Sequence, residues 1–100
     1  MEQNPTYITI NHLEFFGGYT NFRVGDQLYL QKDHDNPYDD EAILAYDSHN
    51  IKCGYVANSV LSVARGTKSA GRIYDAIHEK ETCTICFITE EILIAKIDLD

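Results

Sequence analysis

The segment KDHDNPYDDEAILAY, residues 32–46, holds the densest group of side chains that could bind a metal ion or transfer a proton. Five of the nine consecutive residues 33–41 carry a carboxylate. An EF-hand calcium loop requires an oxygen ligand at its fifth position, glycine at its sixth and glutamate at its twelfth. Counted from Asp33, these three positions hold Pro37, Tyr38 and Leu44. The spacing therefore excludes an EF-hand.

The same carboxylates are poor candidates for acid and base catalysis. A catalytic pair needs two carboxyl groups in different environments, so that their pKa values are separated. Asp39, Asp40 and Glu41 are consecutive and polar, and in a surface turn they would share bulk solvent. The sequence also contains no nucleophile elbow, P-loop or HExxH motif. We therefore expect a protein that is not an enzyme.

Cysteine and histidine spacing gives no metal or redox site. Cys83 and Cys86 form the motif CTIC, but residues three apart in a β-strand point to opposite faces of the sheet. Their neighbours are strand formers, which favours buried cysteines that act as small apolar residues. With Cys53 the count is three, so we expect reduced thiols rather than disulfides. No cofactor is expected.

Length and charge restrict the class of protein. The 100 residues suffice for one domain, residues 1–100, and the absence of a signal peptide or a long apolar run predicts a soluble, cytoplasmic protein without a membrane partner. The net charge of −8 argues against indiscriminate binding to phosphates. From Lys52 to Arg72, however, four basic residues occur without an acidic one. This stretch forms either one basic face or an ordinary solvated surface.

The pattern of apolar residues predicts a mainly β domain. Alternation in TYITINHLEF and DQLYLQKD, with Leu28 and Leu30 inward, indicates strands, and EAILAY and IKCGYV form a hairpin around DSHN. A helix is predicted from Asn58 or Ser59 to Gly66. After a loop of Gly, Ser and Lys come three further segments, RIYDAIHE, TCTICFIT and EILIAKIDL. Six or seven short strands with one or two small helices are most economically arranged as a small barrel.

The turn DNPYD inside the acidic segment is a rigid corner. Pro37 fixes its own φ and forces Asn36 into an extended conformation, while Asn and Asp side chains close local hydrogen bonds. In one interpretation the corner only connects two strands. In the other it holds Asn36 or Asp39 at a fixed place on the rim of a binding site.

The segment LYLQKDHDNPYDDEAILAYDSHNIKCGYV resembles the HIRAN domain. That family has a strand ending in Leu-x-basic-acidic, then Asn-Pro-Tyr-Asp, Ala-Ile and a Gly-aromatic turn, and FFGGYTNF also fits in place. The resemblance implies a small OB-like, six-stranded β-barrel with one or two short helices. It also implies a stand-alone HIRAN protein of the bacterial type that captures the 3′ end of single-stranded DNA in repair or replication.

The resemblance implies a binding site of aromatic, polar and basic side chains. Phe15 and Phe16 match the stacking pair, with Tyr19 as a substitute, and Asn36 and Asp39 match the positions that recognise the strand end. Ten residues are therefore candidates for nucleic-acid binding: Phe15, Phe16, Tyr19, Lys32, Asn36, Tyr38, Asp39, Lys52, Tyr55 and Asn58. A single-stranded DNA end is the implied ligand, with a helicase, nuclease or other DNA-processing protein as the implied partner.

Two departures from the family leave a second function open. Glu14 and Asn58 stand where the DNA-binding relatives have basic residues. The loss of two phosphate contacts lowers both the affinity and its salt dependence. The alternative is therefore a protein-interaction adaptor that keeps the fold and has lost DNA binding.

Overall fold

The computed structural model describes residues 5–13 and 22–98, which form a closed antiparallel barrel of six strands with one short helix. In chain order the elements are β1 Thr6–Asn11, β2 Gln27–Lys32, β3 Ile43–Tyr46, β4 Lys52–Val56, α1 Ala70–Ile73, β5 Lys80–Ile88 and β6 Leu93–Ile97. Around the barrel the order is β1-β4-β3-β2-β5-β6. The predicted mainly β barrel is confirmed, and within the described ranges no helix is long and apolar enough to cross a bilayer.

The barrel interior is filled by the inward side of each strand. Ile8 and Ile10 of β1 and Leu28 and Leu30 of β2 are fully buried, as the alternating pattern predicts. Strand β1 pairs with β6 from Thr6 to Ile10 and with β4 at Ile10 and Asn11. Because β1 has a partner on both sides, the sheet has no open edge there.

A β-bulge in β5 decides which of its apolar residues enter the core. The register with β6 shifts between Ile85 and Phe87, and Cys86 lies at the shift. Cys83 and Ile85 point inward, whereas Phe87 is exposed and Ile88 packs against the core. The extra residue therefore reverses the alternation, so that Ile88 fills the end of the barrel.

The helix predicted from Asn58 or Ser59 to Gly66 is wrong. The segment forms successive turns instead, closed by bonds from the backbone N–H groups of Ser62 and Val63 to the Ser59 carbonyl. Val60 and Leu61, two residues of the predicted apolar side, are 93% and 95% exposed, so they do not pack on the barrel. The helix occurs later, from Ala70, after Ser69 as its N-cap.

The turn segment, residues 57–69, is fastened to the outer side of β1 by Thr9. The Thr9 hydroxyl accepts a hydrogen bond from the Ala64 N–H at 3.0 Å and lies 2.8 Å from the Thr67 hydroxyl. Thr67 donates its own proton to the Ala64 carbonyl at 2.7 Å, so Thr9 is the donor to Thr67. Thr9 is fully buried beneath the segment, although it faces away from the barrel interior.

Replacing Thr9 with valine tests this attachment. Thr9→Val keeps the shape of the side chain but removes the acceptor of the half-buried Ala64 N–H and the donor to the Thr67 hydroxyl. We expect the free energy of unfolding to fall by about 2 kcal/mol in urea titrations followed by circular dichroism. The control is Thr6→Val in the same strand, because the Thr6 hydroxyl has no hydrogen-bond partner among the described residues; equal losses in the two variants would contradict the assignment.

Candidate functional site

The corner between β2 and β3 is held by the side chain of Asn36. Its Oδ1 atom accepts hydrogen bonds from the backbone N–H groups of Tyr38 at 2.9 Å and Asp39 at 3.1 Å. The Tyr38 side chain is 95% exposed at the tip of this turn. The predicted rigid corner is therefore confirmed, and it presents an aromatic ring to solvent.

Asp39 links the corner to the rest of the protein. Its Oδ1 accepts from the Glu41 N–H at 2.9 Å, and its Oδ2 accepts from Asn58 Nδ2 at 3.0 Å. Asn58 Oδ1 in turn accepts from the N–H of Gly71 at 2.8 Å, in the first turn of α1. This chain of bonds fixes the distance between the corner and α1. Because a carboxylate has about four acceptor positions, Asp39 can still accept from a ligand.

Gly71 allows the corner to approach α1 closely. A Cβ atom at this position would lie 2.6 Å from Glu41 Oε1 and 3.2 Å from Asn58 Oδ1. Both distances are shorter than ordinary van der Waals contact, so a larger residue would move Asn58 or Glu41. The exposed Glu41 side chain can move aside at little cost, whereas Asn58 Oδ1 would have to shift by a few tenths of an ångström within its hydrogen bond to the Gly71 N–H.

Tyr55 lies on β4 opposite Asn11 of β1, and its ring faces that of His12 edge-on at 6.2 Å between centroids. Its hydroxyl donates to Asp33 Oδ2 at 3.4 Å. Burial, and secondly the Asp33 carboxylate, raises the pKa of Tyr55. The phenol therefore remains a hydrogen-bond donor at neutral pH.

Gly54 brings β1 close enough to β4 for His12 to reach Tyr55. A Cβ atom on Gly54 would lie 2.5 Å from the Asn11 carbonyl oxygen and 2.8 Å from Ile10 Cγ2. At the next residue, His12, the chain has a positive φ of 61°. The close strand pairing and this left-handed residue end β1 beside the ring of Tyr55.

The corner, the end of β1 and the start of the turn segment surround one open cavity of about 620 Å³. Half of the predicted binding residues line it together: Asn36, Tyr38, Asp39, Tyr55 and Asn58. We call this the corner cavity. Its lining includes an exposed tyrosine ring, a half-buried tyrosine ring, a carboxylate and three amides, a combination that suits a base and a hydroxyl.

The remaining predicted residues lie elsewhere or outside the described ranges. Lys32 Nζ stands 4.5 Å from the centroid of the Tyr74 ring in a cation–π contact and does not line the corner cavity. Lys52 lines a different cavity of about 580 Å³, which shares no lining residue with the first. Phe15, Phe16 and Tyr19 fall in residues 14–21, outside the described part of the chain.

Sequence reasoning missed two features of the cavity. His12 lines it, and no histidine spacing indicates this, because the pairing of β1 with β4 brings His12 there. Val60 and Leu61 are 93% and 95% exposed in the turn segment beside it, between the lining residues Ser59 and Ser62. The sequence did not predict this exposure, because in the predicted helix these two residues belonged to the apolar face.

The two sides of the corner cavity carry opposite charges. Among its described lining residues there is no lysine or arginine. A cavity of about 340 Å³ shares Asn58 with it and contains Arg65 and Arg72. A third cavity, of about 780 Å³, shares His12 with the corner cavity and borders the arginine-containing cavity at Val63 and Ala64, and it contains Glu90 and Glu91. An anion beside the corner cavity is therefore attracted to one side and repelled from the other.

All three cysteines are free, and the two in the core are kept as thiols. Burial, and secondly Asp47, raises the pKa of Cys53 to about 12, and burial also raises the pKa of Cys83. Cys86 is half-buried, and its thiol donates to the Thr84 carbonyl at 3.6 Å. The described residues contain no group of three histidine, cysteine or acidic side chains arranged to hold a metal ion.

Comparison with known proteins gives one match. The family model described as the HIRAN domain matches residues 5–85, a range that includes every described residue lining the corner cavity. No curated protein and no solved structure matches the chain. The match ends within β5, whereas β6 completes the barrel beyond it.

The bridge through Asn58 predicts a measurable loss of stability. Asn58→Ala removes the hydrogen bonds to Asp39 and to the Gly71 N–H, so we expect the free energy of unfolding to fall by about 2 kcal/mol. The matched control is Gln31→Ala, which removes an exposed amide from β2 and should change stability by less than about 0.5 kcal/mol. Urea titrations compare the free energies of unfolding of the two variants. If Asn58→Ala leaves the free energy of unfolding unchanged, the bridge through Asn58 does not contribute to stability.

Proposed function

The chain belongs to the HIRAN family, whose members are nucleic-acid-binding modules, and we propose on this basis that it binds the 3′ end of a single DNA strand in the corner cavity. The observation that supports this best is the meeting of Asn36, Asp39, Tyr55 and Asn58 around one cavity. These residues come from two strand connections and from β4, so only folding brings them together.

The geometry supports a specific division of roles. Asp39 accepts a hydrogen bond from the terminal 3′ hydroxyl, because its carboxylate retains acceptor capacity beyond its bonds to Glu41 and Asn58. Tyr38, which is 95% exposed, offers its ring as a stacking surface for a base, and Tyr55 lines the same cavity. Stacking of one base on an aromatic ring is worth about 1–3 kcal/mol.

We propose that this binding is not coupled to catalysis. Both oxygens of Asp39 accept hydrogen bonds from protein N–H groups, so the carboxylate already has a structural role in the corner. The phenol of Tyr55 has a raised pKa, which disfavours its use as a nucleophile. A recognition module of this kind would act beside a helicase or nuclease in DNA repair or replication.

A protein-interaction adaptor is the second candidate. Three large apolar side chains are each more than 90% exposed: Tyr38, which lines the corner cavity, and Val60 and Leu61, which lie in the chain between its lining residues Ser59 and Ser62. Exposed apolar groups of this size are typical of surfaces that bind another molecule. The net charge of −8 opposes long-range attraction to nucleic acid and favours a basic or apolar protein partner.

Fluorescence anisotropy with thymidine strands of about ten nucleotides tests the first proposal. A strand ending in a 3′ hydroxyl should bind about tenfold or more tightly than one ending in a 3′ phosphate. The phosphate removes the hydroxyl donor and brings negative charge to Asp39. Equal affinities, or no binding of either strand at low salt, would contradict the proposal.

A double variant separates recognition by Asp39 from its structural role. Asp39→Asn with Asn58→Asp exchanges donor and acceptor, so the bond between the two side chains and the one to Gly71 are preserved at unchanged net charge. We expect stability within about 1 kcal/mol of the parent protein, and a preference for the 3′ hydroxyl reduced by about tenfold. A stable variant with full preference would show that the carboxylate at position 39 does not recognise the end.

A pull-down with and without nuclease treatment tests the adaptor. If the protein binds strand ends, proteins recovered with it should be lost after nuclease treatment, because nucleic acid connects them. Recovery that survives nuclease but is lost in a Val60→Ser/Leu61→Ser variant would favour the adaptor instead. The paired control is Val24→Ser, since Val24 is exposed but lies away from the corner cavity.

A further inference from the structure

We propose that the strand bound in the corner cavity leaves it on the side of Asn58, with its backbone phosphates held by Arg65 and Arg72. This inference rests on the proposed function and adds the path and polarity of the strand. With the 3′ end at Asp39, the phosphates that reach the two arginines lie on its 5′ side.

The continuity of two cavities supports this path. The corner cavity and the cavity of about 340 Å³ share Asn58 as a common wall. Among its described residues, the lining of the smaller cavity includes two guanidinium groups and the polar residues Thr67 and Ser69, and no carboxylate. Arginine offers several donors in a planar fork that matches the oxygens of a phosphate. We call this lining the arginine cleft.

The other neighbouring cavity is unsuited to a phosphate chain. It continues from the corner cavity past His12, and its lining includes the carboxylates of Glu90 and Glu91. Two carboxylates repel a phosphodiester backbone, whereas the arginine cleft attracts it. The charge difference between the two sides therefore selects one direction for the strand.

Both arginines are carried by backbone that the fold holds in place. Arg65 belongs to the turn that is fixed to β1 on either side, at Ala64 and Thr67 through Thr9. Arg72 lies in α1, and its N–H donates to the side chain of Ser69. Both side chains are exposed, and within the described ranges neither has a carboxylate at salt-bridge distance. Their charges are therefore available to an anion.

The arginine cleft also accounts for binding without the basic residues that the family resemblance places elsewhere. Asn58, at a position occupied by a basic residue in the DNA-binding relatives, uses both ends of its amide within the protein. Two cations, Arg65 and Arg72, line the same cavity as Asn58. In this arrangement Arg65 and Arg72 contact the phosphates of the nucleotides that precede the terminal one, and no cation contacts the terminal phosphate at position 58.

The salt dependence of binding tests the inference. Affinities of a thymidine strand with a 3′ hydroxyl are measured between ~50 mM and ~200 mM salt for Arg65→Gln, Arg72→Gln and the double variant. Each lost phosphate contact should reduce the slope of log K against log salt by about 0.7, and weaken binding at low salt by about fivefold. Lys80→Gln and Lys96→Gln are the controls, because they remove the same charge from exposed positions on β5 and β6.

The outcomes separate this inference from the proposed function. We expect the arginine variants to keep the preference for a 3′ hydroxyl over a 3′ phosphate, since that preference arises at Asp39. An unchanged slope, or equal losses in the arginine and lysine variants, would overturn the arginine cleft while end binding stands. No binding of the parent protein at low salt would overturn both.

Discussion

Strand β1 pairs with β6 over five residues and with β4 at its end, and the barrel is closed through this double pairing. The same strand also carries the candidate site. Its outward hydroxyl at Thr9 holds the turn segment, and its last residues lie against Tyr55 of β4. The contact is close because Gly54 has no Cβ to separate the strands. Strand β1 therefore contributes both to the closure of the barrel and to the lining of the corner cavity.

Side-chain hydrogen bonds then replace secondary structure around the cavity. Asn36, Asp39 and Asn58 each bond to backbone N–H groups or to one another, and no strand or helix contains any of them. Such bonds hold irregular backbone as firmly as a turn or a cap does. Asp39 therefore has a structural role that does not depend on any ligand, and its presence in the motif is not by itself a sign of binding.

The barrel could be predicted from the sequence because alternation of apolar residues reports which side of a strand is buried, as at Leu28 and Leu30. The corner was equally readable, since Asn36 and Pro37 act locally. The turn segment was not, because Val60 and Leu61 imitate a helical face while the Ala64 N–H is taken by Thr9, 55 residues earlier. The pairing of β1 with β4 brings His12 to the corner cavity, whereas Lys32 and Lys52 lie elsewhere on the barrel. No local sequence pattern contains that information.

In the proposed binding mode, selectivity for strand ends comes from the corner cavity, whereas charge governs the overall affinity for nucleic acid. A net charge of −8 repels a polyanion wherever no local cation compensates, and charges more than about 8 Å away are largely screened at physiological salt. In the proposed mode, a strand whose end enters the corner cavity gains hydrogen bonds and stacking that offset this repulsion. A protein with a basic surface would bind ends more tightly but would also bind every internal phosphate. Since specificity is a difference between affinities, a repulsion that acts equally on ends and interiors lowers both affinities without changing the selectivity, and in the proposed binding mode the corner cavity supplies the difference.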